Sequence, residues 1–190
     1  MNIHYDALLD RQVPASARRV LDAGCGDGFL AARLAGRIAD VVAVDVDAPV
    51  LQRAAARFPH AGVDWRHADV MTGSLGPPFD AVVSNAALHH LPDTASALNR
   101  LGALVRPGGT LAVVGFVRTD LRELPWRATA WVARGIAIRL IGVWQHTAPV
   151  CWPPRDTLHA VKLAAARTLP GAHVHRLVLG RYLLVWHRTG

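Results

Sequence analysis

A short apolar segment followed by three glycines at alternate positions constrains the fold more than any other feature of the sequence. The segment ends at Asp22, and Gly24, Gly26 and Gly28 then precede a helical stretch over residues 29–34. Glycines let the backbone bend sharply and approach a ligand closely. The helix start offers free N–H groups and the positive end of its dipole to an anion, either a carboxylate or a phosphate. The pattern therefore predicts a strand, a ligand-binding turn and a helix in succession.

Further apolar segments alternate with helical stretches along most of the chain. Strands are predicted over residues 19–21, 41–46, 63–66, 79–83 and 110–114, and the second is a continuous β-branched run, typical of a strand buried on both faces. One helix is expected to begin after Asp47. Another is expected to begin at Asp93 or Thr94, to turn Val105 inward and to stop at Pro107. This alternation predicts βαβ units and a parallel sheet with right-handed crossovers.

The last part of the chain follows a different order. Residues 156–169 are predicted to form a helix, and residues 172–179 and 181–187 form two strands that meet at Gly180. So short a connection joins only antiparallel strands. Because no internal repeat, low-complexity stretch or linker occurs, we expect residues 1–190 to form one α/β domain. Its sheet is predicted to be doubly wound and mostly parallel, with an antiparallel C-terminal hairpin.

Residues 118–151 fit neither pattern and are predicted to form one or two helices laid over the sheet. They contain Trp126, Trp131 and Trp144 together with several arginines. Two interpretations stand side by side. The segment is a helical lid over an active site, or it covers the core, since each tryptophan buries a large area. A membrane-surface helix is disfavoured, because the arginines do not line up on one clean face.

Composition indicates a globular protein without a membrane span. The 190 residues suffice for one sizeable core, and just over half of them are apolar. No run of about 18 uncharged apolar residues occurs, and the first ten residues lack the apolar centre of a signal peptide. Cys25 and Cys151 are the only cysteines, which argues against a disulfide framework and a metal-ligand cluster. We therefore expect a cytoplasmic protein with no metal site.

The net charge of +7 has two interpretations. A strongly basic protein can bind an anionic partner such as nucleic acid, phosphate or a membrane surface. However, the positive charge is nearly all arginine, Lys162 is the single lysine, and the basic residues are scattered without a dense run. Alanine and valine are also abundant, so a GC-rich codon supply explains the charge better. No specific nucleic-acid partner is expected.

Three acidic residues at the ends of predicted strands narrow the class of ligand. Asp22 would repel a pyrophosphate beside it and would favour a ligand with a positive group, such as the ammonium of an amino acid. Asp45 lies near the end of the second strand, 21 residues beyond Gly24, where a carboxylate can accept hydrogen bonds from ribose hydroxyls. Asp69 follows the third strand. The glycine spacing also differs from the dinucleotide fingerprint G-x-G-x-x-G.

Five segments in this order resemble the class I S-adenosylmethionine (SAM)-dependent methyltransferases, a Rossmann-like family, and the resemblance covers roughly residues 19–116. Residues 22–28 resemble the first motif of the family, residues 44–46 the second and residues 68–70 the third. Residues 79–91 resemble the fourth strand and its loop in the UbiE-like small-molecule branch. Residues 104–111 resemble the turn before the fifth strand. The fold of this family also ends in an antiparallel hairpin.

The resemblance implies that the turn after the first strand holds the methionine end of SAM. Gly24, Cys25 and Gly26 would lie against the methionine moiety. Asp22 would lie near its amino group, and Asn85 would line the floor near the reacting methyl group. As for a catalytic role, Cys25 in the glycine turn is expected to be a small packing residue rather than a nucleophile.

The resemblance also implies how the nucleoside end is held. Asp45 would bind the ribose hydroxyls, and Val46 would pack on the adenine. Asp69 would accept a hydrogen bond from the adenine amino group, with Val70 beside the ring. Tyr5 either folds over the cofactor, as N-terminal segments of this branch do, or is an ordinary surface tyrosine.

The sequence offers two adjacent histidines as candidate catalytic residues. In methyl transfer the protein mainly orients and desolvates the two partners, but a hydroxyl or amine acceptor can need a base. His89 and His90 lie just after the fourth strand, near the expected position of the acceptor. The pair can instead cap or pack at the end of that strand. His146 is a weaker candidate for the same role.

A small molecule is the expected methyl acceptor. Residues 84–87, Ser-Asn-Ala-Ala, lack the Asn/Asp-Pro-Pro-aromatic pattern of base methylation at exocyclic amines, and no cysteine near that strand serves cytosine C5 methylation. We therefore expect O-, N- or C-methylation of a metabolite or lipid-like compound, with a homodimer as one way to complete the pocket.

Two other functions remain open at this point. One is a SAM-binding protein without catalysis, which no residue excludes. The less favoured one is a nicotinamide-dependent oxidoreductase, because neither Tyr5 nor Tyr182 forms the Tyr-x-x-x-Lys pair of short-chain dehydrogenases.

Overall fold

The computed structural model describes residues 3–91, 93–118, 154–178 and 180–190. The helices of this part are α1 (Ile3–Gln12), α2 (Phe29–Ala35), α3 (Ala48–Arg57), α4 (Thr94–Leu104) and α5 (Leu158–Thr168), with a short 3₁₀ helix at Leu88–His90. The strands are β1 (Arg19–Ala23), β2 (Asp40–Asp45), β3 (Val63–His67), β4 (Phe79–Asn85), β5 (Val105–Phe116), β6 (His173–Leu177) and β7 (Arg181–His187). None of the described helices is long and apolar enough to cross a membrane. The predicted lid over residues 118–151 lies outside the described residues, apart from Arg118.

Seven strands of the described part form one sheet in the order β3-β2-β1-β4-β5-β7-β6. Strands β1 to β5 run parallel, whereas β7 is antiparallel to both β5 and β6 and lies between them. The predicted doubly wound sheet with its antiparallel C-terminal hairpin is therefore confirmed. The strand order reverses between β1 and β4, and in open α/β sheets ligands bind at such a switch point, beyond the carboxyl ends of the strands.

Strand β2 is buried on both faces, as its β-branched run predicts. Val42 and Val44 pack with α4 and α5 on one face, whereas Val41 and Ala43 pack with α1 and α2 on the other. Each of the four side chains is at most 1% exposed. Because successive side chains of a strand point to opposite faces, one continuous apolar run builds two cores.

The predicted N-caps of α3 and α4 are confirmed for Asp47 and Asp93. The Asp47 carboxylate accepts from the amide of Val50 (3.0 Å), and the Asp93 carboxylate accepts from the amide of Ser96 (2.7 Å). These bonds satisfy N–H groups that the first turn of a helix leaves without intrahelical partners. The caps fix where the chain turns after β2 and before α4, and so help to define the carboxyl edge of the sheet.

The predicted end of α4 is wrong. The helix stops at Leu104, and Val105 is the first residue of β5, where it pairs with Phe79. Val105 is fully buried there, and the ladder between β4 and β5 then shifts register. Gly108 adopts a left-handed φ of +76°, which lets the backbone continue past Pro107 into the regular part of the strand. A β-branched residue such as Val105 is better suited to a strand than to the last turn of a helix.

Helix α1 has no counterpart in the predictions above. The segment is mostly polar, but Tyr5, Leu9 and Val13 recur at intervals of four residues and form an apolar stripe. Leu9 and Val13 are buried in the core on the α2 side of the sheet, and Tyr5 packs against the same cluster. This stripe is the signal that predicts a helix here. The helix lies against β4 and β5.

Candidate functional site

A cavity of about 970 Å³ opens at the carboxyl edge of the sheet, beside the switch point between β1 and β4. The predicted site residues that line it are Asp22, Gly24, Cys25, Gly26, Asp45, Val46, Asp69, Val70, Asn85 and His90. These positions span 69 residues of sequence, and the fold brings them together because parallel strands end at the same edge. The remaining predicted residues are Tyr5, which does not line the cavity, and His89, whose side chain lies outside the described part.

The glycine turn is held by the strand beside it. The amides of Gly24 and Cys25 both donate to the carbonyl of Val44, at 2.9 and 3.0 Å. Gly24 has a φ of +72°, and a Cβ at this position would lie 2.3 Å from the Cβ of Ala87, in the loop after β4. Gly26 has a φ of +51°, and a Cβ there would meet nothing within 4 Å. One glycine therefore allows two loops to touch, and the other leaves open space beside the backbone.

Asp45 ties the glycine turn to the end of β2. One carboxylate oxygen accepts from the amide of Gly26 (2.9 Å), and the other accepts from the amide of Asp47 (3.0 Å). A carboxylate has about four acceptor positions, so both oxygens keep capacity for further donors. Asp45 is half-buried and lines the cavity, which places that capacity where a ligand can use it.

Asp22 is a buried carboxyl group directly beneath the glycine turn. It is 1% exposed, and its Oδ2 atom has no hydrogen-bond partner among the described residues. Burial raises its pKa well above the usual value, and the negative charges of Asp6 and Asp45 raise it further. An acid that is buried and unsatisfied on the cavity side is suited to a ligand that brings a donor or a positive charge.

The adenine-side residues of the prediction form the outer lip of the cavity. Val46 is 63% exposed, a large exposed fraction for an apolar side chain, and Val70 is buried nearby on the cavity wall. Asp69 is exposed, and its carboxylate accepts from the amide of Met71 (2.8 Å) and from the Thr72 hydroxyl (3.3 Å). His67 contacts the carbonyl of Val46 at 3.0 Å and so joins β3 to this lip.

Sequence reasoning missed Asp6, which reaches the cavity from α1. It is 6% exposed, and its Oδ1 atom accepts from Nδ2 of Asn85 at 2.7 Å. Burial raises the pKa of Asp6 to about 6, against the opposing effect of the hydrogen bond from Asn85. Asn85 is thereby held at the end of β4, on the wall of the cavity. The apolar stripe of α1 is the signal that would have brought Asp6 to attention.

Arg181, at the start of β7, is the second cavity residue that the sequence did not reveal. It lines the cavity, yet it is only 3% exposed. Its guanidinium carbon lies 3.9 Å from the ring centroid of Phe116 and 4.9 Å from that of Tyr5. The Tyr5 hydroxyl donates to the carbonyl of Val178 at 3.4 Å. Tyr5 therefore lies behind Arg181 and supports it. No local pattern distinguishes Arg181 from the many other arginines of the chain.

The candidate base His90 lies at the end of the 3₁₀ helix Leu88–His90. Its side chain is exposed and lines the cavity. The preceding backbone turns sharply, because Ala86 adopts a left-handed φ of +61°, which is uncommon for a residue other than glycine. This turn directs the chain after β4 across the mouth of the cavity.

This strand order, with an antiparallel β7 between β5 and β6, and this cavity at the ends of β1, β2 and β4 define a class I methyltransferase domain. A family profile described as a methyltransferase domain matches residues 20–109. An uncharacterized methyltransferase of Mycobacterium tuberculosis is 59% identical over 186 residues, which are 97% of this chain and 94% of the relative. The chain therefore belongs to the class I SAM-dependent methyltransferases.

More distant proteins share the same fold. A ubiquinone biosynthesis O-methyltransferase of Xylella fastidiosa is 31% identical over 178 residues, which are 92% of this chain and 68% of that protein. The SAM-bound structure of CalS10, an amino pentose methyltransferase from Micromonospora echinaspora, superposes with a TM-score of 0.69 at 22% identity. That match covers 100% of this chain and 92% of the other. The assignment to the UbiE-like branch stays a prediction.

Proposed function

We propose that this chain transfers the methyl group of SAM to a small-molecule acceptor. The observation that carries the proposal is the buried, unsatisfied Oδ2 of Asp22 beneath a glycine turn with open space at Gly26. The ammonium group of SAM would satisfy that oxygen, and its positive charge would favour the ionised form of Asp22 against the effect of burial. A phosphate-bearing ligand would be repelled at the same place. The donor set therefore fits SAM better than a nicotinamide dinucleotide.

The nucleoside end would be held by residues of the β2 and β3 ends. The free acceptor positions of Asp45 would bind the ribose hydroxyls. Val46 and Val70 would enclose the adenine, which explains why so exposed a valine stands at the lip. Asp69 would accept from the adenine amino group, since one described bond on each oxygen, from Met71 and from Thr72, leaves acceptor capacity on both.

When bound, SAM supplies a sulfonium-activated methyl group: the acceptor atom bonds to the methyl carbon as the carbon–sulfur bond breaks, and the electron pair stays on sulfur. Asn85, fixed by Asp6, would line the floor beside the reacting atoms. A proton lost from a hydroxyl or amine acceptor would pass to His90, or to His89 beside it in sequence. Closing the cavity against water would strengthen these interactions.

A small acceptor suits the size of the cavity. Pockets for small ligands usually enclose about 300–1,000 Å³, and this one, at about 970 Å³, lies at the upper end of that range. The relative named for ubiquinone biosynthesis and the amino pentose methyltransferase support the same class of acceptor. Residues 118–151, where the sequence predicts a lid, would complete the choice of acceptor.

Binding of S-adenosylhomocysteine, the reaction product, tests the first half of the proposal. Calorimetry should show saturable binding, and Asp45→Ala should weaken it about 10- to 100-fold, the worth of a charge-assisted hydrogen bond. Asp64→Ala is the matched control, because Asp64 is an exposed acid on β3 whose partner is Arg66. Tight binding of NADH without a response to S-adenosylhomocysteine would refute the proposal.

An acceptor screen with methyl-labelled SAM tests the second half. Label should move into a small organic molecule, and not into RNA or DNA at physiological salt. His90→Gln should then lower turnover roughly 100-fold or more if the acceptor needs a base, while S-adenosylhomocysteine affinity stays unchanged. Binding without any transfer across a broad screen would favour the alternative of a SAM-binding protein without catalysis.

A further inference from the structure

Helix α1 and strand β1 bring two acids together on one face of the sheet. Val20 and Val83 belong to the core against which α1 packs. Because side chains alternate along a strand, Asp22 on β1 and Asn85 on β4 point to the same face. Asp22 pairs with Val83, so Asn85 lies two residues, about 6.6 Å, further along the neighbouring strand. Asp6 accepts from Asn85 and interacts with the carboxyl group of Asp22, so both acids meet at the cavity.

Asp22 supplies a hydrogen-bond acceptor that lacks a donor. The amide of Ala31, in the first turn of α2, donates to this carboxyl group, but Oδ2 has no partner among the described residues. The side chain is 1% exposed and lines the cavity. Burial and the nearby charge of Asp6 raise the pKa of Asp22 well above its usual value, so its ionised form is disfavoured. A buried acceptor of this kind is costly unless a ligand provides a donor.

Asp6 supplies the negative charge of the pair. Burial raises its pKa to about 6, which leaves the carboxylate mostly ionised at pH 7. Its one described hydrogen bond, from Asn85 to Oδ1, leaves acceptor capacity for another donor. Arg33 also attracts this carboxylate, but its guanidinium is hydrogen-bonded to Asp10 at 2.8 Å. The side chain is buried and lines the cavity, so its charge acts on a ligand with little screening by water.

A compact cation with several donors suits this pair of acids. An ammonium group carries three N–H donors, enough for Oδ2 of Asp22 and for the carboxylate of Asp6 together. An anion would be repelled by Asp6. A neutral hydroxyl could donate to Asp22, but it would leave the charge of Asp6 without a counter-charge. The arrangement therefore favours an amine in its protonated form.

We propose that Asp6 of α1 and Asp22 of β1 together bind the ammonium group of the cofactor, so that Asp6 is a cofactor-binding residue outside the glycine motif. The inference rests on the proposed function, because it extends the cofactor site of that proposal to α1. The reacting methyl group of SAM lies close to its amino-acid end. Asp6 can therefore contact the cofactor from the wall that it shares with Asn85, where the acceptor would also lie. Asn85 positions Asp6 through its amide.

The test compares S-adenosylhomocysteine with its deamino analogue, in which hydrogen replaces the amino group. Calorimetry with the wild type should show that the analogue binds about 100-fold more weakly, since the ammonium makes charge-assisted hydrogen bonds. Asp6→Asn keeps the size of the side chain and can still accept from Asn85. This variant should bind S-adenosylhomocysteine about 10-fold more weakly than the wild type does. Its affinity for the analogue should stay within about twofold of wild type.

Asp10→Asn is the matched control. Asp10 lies one helical turn after Asp6 on α1, bonds to Arg33 and Arg37, and is not among the described residues that line the cavity. The variant removes the same charge from the same helix, and its ratio of the two affinities should equal that of the wild type. Asp6→Glu keeps the charge on a longer side chain and should show an intermediate ratio. It replaces Asp6→Asn if circular dichroism shows that the latter does not fold.

Three results would overturn the inference. The first is equal binding of the two ligands by the wild type. The second is a ratio of affinities in Asp6→Asn, or in Asp6→Glu where that variant replaces it, equal to that of the wild type. The third is an equal loss of affinity for both ligands in Asp6→Asn, which would make the role of Asp6 structural. If the wild type binds neither ligand, the proposed function itself is wrong, so the two failures are distinguishable.

Discussion

The two sides of the cavity are built in different ways. The half proposed for the cofactor, called the cofactor half, is formed by residues 22–28, 45–46 and 69–70. It uses backbone turns and acids that lie within one stretch of sequence. The opposite half, called the acceptor half because the acceptor would lie there in the proposed function, is formed by Asp6, Asn85, Phe116 and Arg181 from four separate segments. The first half depends on how loops meet, and the second depends on buried polar groups that the fold must hold in place. In the proposed function, the cofactor would thus be bound by local geometry, whereas the acceptor would meet side chains from distant positions.

The largest expected effect comes from a substitution of Gly24, in the turn of the cofactor half. Gly24→Ala adds a Cβ that would lie 2.3 Å from the Cβ of Ala87 and forces a left-handed φ on alanine. Backbone strain and overpacking together should lower the free energy of unfolding by about 4 kcal/mol. S-adenosylhomocysteine binding should be lost. Chemical denaturation and calorimetry measure the two effects.

Gly62→Ala is the control for that change. Its φ of +69° is nearly the same, but a Cβ there would meet nothing within 4 Å, so the variant isolates the cost of the backbone conformation. The double variant Gly24→Ala with Ala87→Gly should recover part of the stability and binding. If Gly24→Ala and Gly62→Ala cost the same, the contact between the two loops is not what fixes the turn.

A second prediction concerns the stability cost of the acceptor half. The pKa of Asp6 rises from 3.8 to about 6 on folding, chiefly because of burial. A raised carboxyl pKa means that the folded state holds the proton more tightly, so this group lowers stability as pH rises from about 4 to about 6. The full cost above that window is about 3 kcal/mol. The variant Asp6→Asn can still accept a hydrogen bond from Asn85. Its free energy of unfolding, relative to that of the wild type, should therefore be about 3 kcal/mol higher at pH 7 than at pH 4.

Asp10→Asn is the opposite case on the same helix. Burial alone would raise the pKa of Asp10, but hydrogen bonds from Arg37 and Arg33 bring it below its usual value. That contribution to stability is present above the unfolded pKa and is lost as pH falls, so Asp10→Asn should lose stability at pH 7 relative to acid pH. Urea unfolding at several pH values checks both signs. If the difference in unfolding free energy between Asp6→Asn and the wild type does not change with pH, Asp6 is not a buried acid with a raised pKa.

The smallest expected effect comes from a substitution of Val46, at the lip of the cofactor half. Val46 is 63% exposed, so Val46→Ser should change the melting temperature very little. It should weaken S-adenosylhomocysteine binding roughly fivefold, because the ligand would bury part of the valine side chain, worth about 1 kcal/mol. Val178→Ser, at another exposed valine outside the cavity, should leave binding unchanged. Equal affinities of the two variants would remove Val46 from the binding surface.

The sequence predicted the sheet and the residues that line the cofactor half of the cavity because their signals are local. Gly24, Gly26 and Asp45 stand at fixed spacings around strand ends, and the β-branched run of β2 marks a strand with two buried faces. Asp6 and Arg181 carry no such pattern, since each is a single residue whose role depends on where α1 and β7 pack. Val105 was misassigned because its spacing from Leu98 and Leu101 suits a helix, and only its pairing with Phe79 decides otherwise.

The insertion of β7 between β5 and β6 has a consequence for the order of folding. Strands β1 and β2 close a short loop, as between Arg19 and Asp40, which are 21 positions apart, whereas Thr110 on β5 contacts His187 on β7 across 77 positions. Closing the longer loop costs more entropy and delays pairing. During that delay the apolar strand β5 is an open sheet edge, which is a template for aggregation. We therefore expect the need of this chain for chaperones during folding to depend on how fast β7 pairs with β5, and not on the glycine turn.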